Sequence, residues 1–148
     1  MRSFFCRPTS RGRRARGQSL AEFALVFPIL MLILGAVIQF GIIFWGQNTL
    51  TQIARDTGRW AASQTTCPTT VSVTSTANSI ASSSSLIGYP ADGIGLDVAT
   101  SGTCPPTNNQ QVGYVTITLT HRVPVFFPWI PGNGNLSTSS QFRMEPAP

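Results

Sequence analysis

One uninterrupted apolar stretch constrains this chain more than any other feature. Leu20 to Trp45 reads LAEFALVFPILMLILGAVIQFGIIFW, with Glu22 its only charge and no further charge before Arg55. As a helix rising about 1.5 Å per residue, these residues reach roughly 39 Å, more than the ~30 Å hydrocarbon core of a bilayer. The expectation is one tilted membrane span. A cleavable secretory signal shares the basic start and apolar middle, but its apolar region is typically ~7–15 residues and a small-residue cleavage site follows closely. Here Ala61-Ala62, the first Ala-rich candidate, lies well past the run. Length favours a retained anchor.

Charge is distributed unevenly around that span. Residues 1–17 contain Arg2, Arg7, Arg11, Arg13, Arg14 and Arg16 and no acid (+6), while the rest of the 148 residues hold four Arg against five acids (−1). An Arg-rich arm can grip nucleic acid by neutralising phosphates, yet here it adjoins the hydrophobic span, so no nucleic-acid partner is expected. Six arginines before the span, against Arg55 and Arg59 with Asp56 between them after it, orient the N-terminus to the cytoplasm and the C-terminal part outward. Cys67 and Cys104 then fall in the exported part and Cys6 in the leader. The exported pair can form one disulfide in an oxidising compartment. Two lone cysteines and the distant His121 lack the number and spacing of ligands for a structural zinc site.

Beyond the span, Leu50, Ile53, Ala54, Thr57, Trp60 and Ala61 recur at helical spacing. The anchor is expected to continue as an amphipathic helix to about Gln64, its polar face carrying Gln52, Arg55, Asp56 and Arg59 and its apolar stripe supporting the exported domain. Residues 65–85 contain thirteen Ser or Thr, which on composition reads as a flexible or glycosylated linker. Ala77, Ile80, Ala81, Ser84 and Ile87 nevertheless share one helical face, so a short helix ending at Gly88 and laid over a sheet is the competing expectation. Pro90 to Gln110 reads mostly as loop, with a short strand at Gly95 to Ala99. Gln111 to Val123 is the clearest strand, with Val115, Ile117, Leu119 and His121 alternating with Thr116, Thr118, Thr120 and Arg122. Pro124, Pro128 and Pro131 interrupt the aromatic segment that carries Phe126, Phe127, Trp129 and Ile130. A turn at Gly132-Asn133-Gly134-Asn135 leads to a last strand over Leu136 to Met144, with Leu136, Thr138, Ser140 and Phe142 on one face. The fold class is α+β. It comprises a basic leader (1–17), a membrane helix continuing as an amphipathic helix (18–64), and an exported domain (65–148) with a short helix and an antiparallel sheet of three to four strands.

No constellation for an enzyme is visible. The single histidine sits in a strand, Asp92 and Asp97 lie in a loop-rich stretch, and no phosphate-binding loop or paired-cysteine cluster occurs. No cofactor, metal or small-molecule substrate is expected. Asn135-Leu136-Ser137 matches a glycosylation sequon, too short a pattern to carry weight.

The start of the span holds the informative residues, Arg16-Gly17-Gln18-Ser19-Leu20-Ala21-Glu22-Phe23. A carboxylate beside an apolar span requires a reason. One is local: Ser19 followed three residues later by Glu22 is a capping box, with Glu22 at the positive end of the helix dipole. The other comes from resemblance. A basic leader ending in Gly, then Glu five residues on, then an unbroken apolar helix resembles a type IV prepilin-type cleavage site. The wider pattern is similar to the TadE-like family of pseudopilins of Flp (tight adherence) pilus assembly. It rests on Arg16 to Leu30, on Phe40-Gly41, and on Ala54-Arg55-Asp56-Thr57-Gly58-Arg59-Trp60-Ala61-Ala62, and more loosely on Val123-Pro124 and Met144-Glu145-Pro146.

The resemblance implies cutting between Gly17 and Gln18 by a prepilin peptidase, which would make Glu22 the fifth residue of the mature chain. It implies assembly through Glu22, Phe23 and Pro28 with other pilin or pseudopilin subunits and an inner-membrane platform. In pilins the glutamate meets a neighbour's N-terminal amine, and an ammonium and carboxylate about 4 Å apart attract by roughly 4 kcal/mol at an effective dielectric near 20, before desolvation. Pro28 removes one helical hydrogen bond and is expected to kink the span. Gly35, Gly41 and Gly46 are candidate points of close approach, without the small-xxx-small spacing of a strong dimer motif. The expected location is the bacterial inner membrane, single-pass, with the C-terminal domain periplasmic or extracellular.

Overall fold

A computed structural model describes residues 12–107, 111–127 and 134–145, with the backbone alone for 12–17. Cys6, Pro128 to Asn133 and Pro146 lie outside the described residues. The elements are α1 (Gly12–Ala62), α2 (Thr70–Ser83), β1 (Gly95–Gly102), β2 (Gly113–Arg122) and β3 (Asn135–Arg143), an α+β fold as the sequence indicates. Two compact units divide the chain, Met1–Val37 and Ile38–Pro148.

In the second unit the three strands form an antiparallel meander in the order β1-β2-β3. Its register pairs Val98 with Ile117 and Ile117 with Ser140. Alternation along β2 is strict: Val115, Ile117, Leu119 and His121 are buried, while Tyr114, Thr120 and Arg122 are exposed. Sheets with one dry face read this way, because successive side chains point to opposite sides. The dry face joins one core with Leu50, Ile53, Ala54 and Ala61 of α1 and Val73 and Ala81 of α2. The stripe on the second half of α1 therefore supports the domain, as its spacing predicts. Thr57 is buried within it, its Oγ1 the one buried side-chain polar atom without a hydrogen-bond partner among the described residues.

Close approach between helix and sheet depends on two glycines. A Cβ at Gly46 would sit 2.8 Å from Val123 Cγ1 and 2.9 Å from Leu136 Cδ1, and a Cβ at Gly58 would collide with the Phe142 ring. The closeness at Gly46 is thus met within the chain by its own sheet. At Gly41, by contrast, an added Cβ would meet nothing within 4 Å.

The Ser/Thr-rich segment is not a linker throughout, since helical periodicity wins over composition between Thr70 and Ser83. Thr69 Oγ1 accepts from the Ser72 N–H at 3.3 Å and the Thr69 N–H donates to Ser72 Oγ at 3.2 Å, a reciprocal cap. Val73, Ala77 and Ala81 form its buried face. The helix ends at Ser83 rather than Gly88, so Ile87 lies beyond it, and α1 stops at Ala62, short of Gln64. β1 extends three residues past Ala99 to Gly102.

Cys67 and Cys104 are disulfide-bonded, with Cα atoms 5.5 Å apart, which ties the approach to α2 to the end of β1. Their sequence separation is 37, and closing a loop of that length stabilises by about 4 kcal/mol in the chain-entropy model. Replacing both cysteines by Ser is expected to cost that much in chemical denaturation of the full chain in detergent micelles. A loss below about 1 kcal/mol would show that the loop is already constrained in the unfolded chain.

Candidate functional site

The residues singled out for processing and assembly all lie on the first part of α1. Arg side chains favour helix, and α1 begins at Gly12, so Ser19 is a helix-interior residue and not an N-cap. The capping box expected from Ser19 and Glu22 is therefore absent from this helix. What holds Glu22 instead is Gln18, whose Nε2 donates to Glu22 Oε1 at 3.2 Å across one helical turn. Gly17 and Gln18 are both helical, and the Gln18 and Glu22 side chains are exposed.

Phe23 stacks obliquely on Phe27, ring centroids 5.4 Å apart at 35°, again a pair at i, i+4 spacing. Pro28 lies inside α1, and the helix continues on both sides of it. Around these residues Leu20, Leu25, Val26, Ile29, Leu30, Leu32 and Ile33 are exposed. A helix apolar on all sides and uncovered belongs in lipid or against other apolar helices. Residues 18–62 contain a stretch long and apolar enough to cross a membrane.

Gln39 holds a structural contact that charge-based reading of the span overlooks. It is the one amide among the apolar residues from Leu30 to Trp45, and it is buried. Its Nε2 donates to Pro124 O at 3.3 Å and its Oε1 accepts the Phe126 N–H at 3.0 Å. The side chain thereby satisfies backbone groups that the sheet ladder no longer pairs once Pro124 ends β2. A lone polar side chain in an apolar run was the available signal.

His121 is buried at the end of β2. Its Nδ1 lies 2.6 Å from Gly93 O and its Nε2 2.8 Å from Ile87 O. With a backbone carbonyl against each nitrogen, the ring fastens the Ile87–Gly93 loop. A cleft of about 420 Å³ beside it is lined by Asp92, Thr120, Arg122, Asn135 and Ser137 among others. Among the described residues no three His, Cys, Asp or Glu side chains cluster to hold a metal ion.

The small residues of the motif Ala54 to Ala62 are explained by packing. Ala54, Thr57, Gly58, Ala61 and Ala62 are buried, with Gly58 beneath the Phe142 ring, and Arg55, Asp56 and Arg59 are exposed.

The family model described as TadE-like protein matches residues 17–59. This is the family the sequence resembles, and the match runs from Gly17 through Gln39 to Gly58 and Arg59. The TadE-like family implies a component associated with Tad pili, and such pilus-associated proteins are generally structural rather than enzymatic. No curated protein and no solved structure matches the chain.

Replacing Gln39 by Leu is expected to unprotect the Phe126 amide to hydrogen exchange and to destabilise the domain by about 1 kcal/mol, because two part-buried backbone groups lose their partner. Unchanged protection at Phe126 would show that the loop is held by other contacts.

Proposed function

We propose that this chain is a non-enzymatic pseudopilin-like component of Flp/Tad-type pilus assembly or secretion, anchored in the inner membrane and assembling through packing of α1. The observation that carries this reading is the TadE-like match over residues 17–59 on a helix whose large apolar side chains from Leu20 to Ile38 are exposed. The six arginines of residues 1–17 support a cytoplasmic N-terminus and a periplasmic or extracellular domain, and the disulfide fits an oxidising compartment.

Prepilin peptidase cuts between Gly17 and Gln18 in this reading. Glu22, at the fifth mature position, then faces the new ammonium group of an adjacent subunit, while Phe23 and Pro28 shape the contact between neighbouring helices. The exposed Glu22 carboxylate supports such a role, since its only described partner is the neutral Gln18 amide of the same helix. In a bilayer a carboxylate held by one neutral amide gains from a cationic partner.

The deciding experiment is the N-terminal residue and intact mass of the protein purified from its host's membranes. A start at Gln18 is expected, with Gly17→Val leaving the leader attached. A wild-type chain that retains its arginine leader would overturn the processing claim and leave a plain anchored envelope domain. A start beyond Ala62 would mean that the helix is a removed signal.

A further inference from the structure

Phe126 follows the end of β2 and is 62% exposed, although its N–H is pinned to α1 through Gln39. On α1 next to that attachment, Phe40 is 58%, Phe44 71% and Trp45 56% exposed. Phe40 and Phe44 share a helix face at i, i+4 spacing. Trp45 donates its indole N–H to Ser85 O at 3.2 Å and leaves the rest of its ring open, and exposed aromatic surface of this extent marks a surface with a partner.

Position along α1 identifies that partner. About 20 helical residues fill the ~30 Å hydrocarbon core, and counted from Leu20 they run out at Gln39. The six residues from Phe40 to Trp45 rise roughly 9 Å more, which spans the headgroup layer, where aromatic side chains are favoured and apolar groups bury ~5–10 Å deep. Gln39 fixes Phe126 at this level. No charged residue occurs between Glu22 and Arg55 or between Arg122 and Arg143 to oppose immersion.

We propose that the Pro124–Phe127 segment, fastened by Gln39, forms with Phe40, Phe44 and Trp45 an aromatic foot set into the headgroup layer of the membrane that α1 crosses. The domain is thus seated on the lipid surface, not held away from it by a stalk. The inference rests on α1 spanning the membrane. It makes the excess length of the apolar stretch a docking element, with Gln39 as the residue that joins anchor to domain.

The test uses the full chain in vesicles of phosphatidylethanolamine and phosphatidylglycerol, in a Cys6→Ser background with the disulfide intact. A nitroxide is attached to one introduced cysteine at a time: Phe126→Cys, Leu30→Cys as a mid-span reference, and Ser101→Cys as an exposed reference on β1. Accessibility to oxygen relative to a water-soluble nickel complex reports depth. The ratio at Phe126 is expected to exceed that at Ser101 several-fold, with Leu30 higher still. A Phe126 ratio equal to that of Ser101, with Leu30 high, overturns the foot and leaves the span standing. A low ratio at Leu30 removes the span and the foot together. Shielding of Phe126 from both probes that grows with protein-to-lipid ratio overturns the lipid assignment in favour of a second copy of the chain.

Discussion

A 51-residue helix is far longer than a bilayer is thick, and the rest of the molecule depends on what covers the remainder. From Leu20 to Ile38 the large apolar side chains of α1 are exposed on every side. From Leu50 onward a stripe of Leu50, Ile53, Ala54, Thr57 and Ala61 is buried under the sheet and α2. One helix thereby serves two environments, and the change from an all-round apolar surface to a stripe is written in its sequence. The domain cannot be separated from the helix without exposing its own core, because α1 covers the dry face of the sheet.

Small residues make that cover close. Gly46 and Gly58 let Val123, Leu136 and Phe142 reach the helix, and the C-terminal end is tied down where the Glu145 N–H donates to Ala62 O at 3.3 Å. Of the residues that look most like a signature after the span, Ala54, Thr57, Gly58, Ala61 and Ala62 are thus accounted for as a packing surface, while Arg55, Asp56 and Arg59 face outward. At the other end of the helix Gln18 and Glu22 also stand exposed.

Much of this was legible in the sequence. β2 declares itself because Val115, Ile117 and Leu119 alternate with threonines, and the face of β3 through Leu136 and Phe142 follows the same period. The TadE-like resemblance stands on contiguous residues from Arg16 to Leu30. Less legible was α2, whose Ser/Thr content suggests disorder although Val73, Ala77 and Ala81 recur every fourth residue and Thr69 and Ser72 cap it. The start of α1 was misplaced because Ser19 and Glu22 have capping-box spacing, yet the arginine-rich residues before them extend the helix to Gly12 and convert Glu22 into an i+4 partner of Gln18. The role of Gln39 is not legible in the sequence, since it appears only when Pro124 and Phe126, more than eighty residues away, fold against it.

The most direct measure of the proposed function is the number of assembled pili on host cells that carry Glu22→Ala at the native level, beside wild type and a deletion of the chain. The expected result is that the deletion strips cells of pili and that Glu22→Ala, present in the membrane at wild-type amounts, does the same. Normal piliation in the deletion strain would contradict a role in pilus assembly altogether.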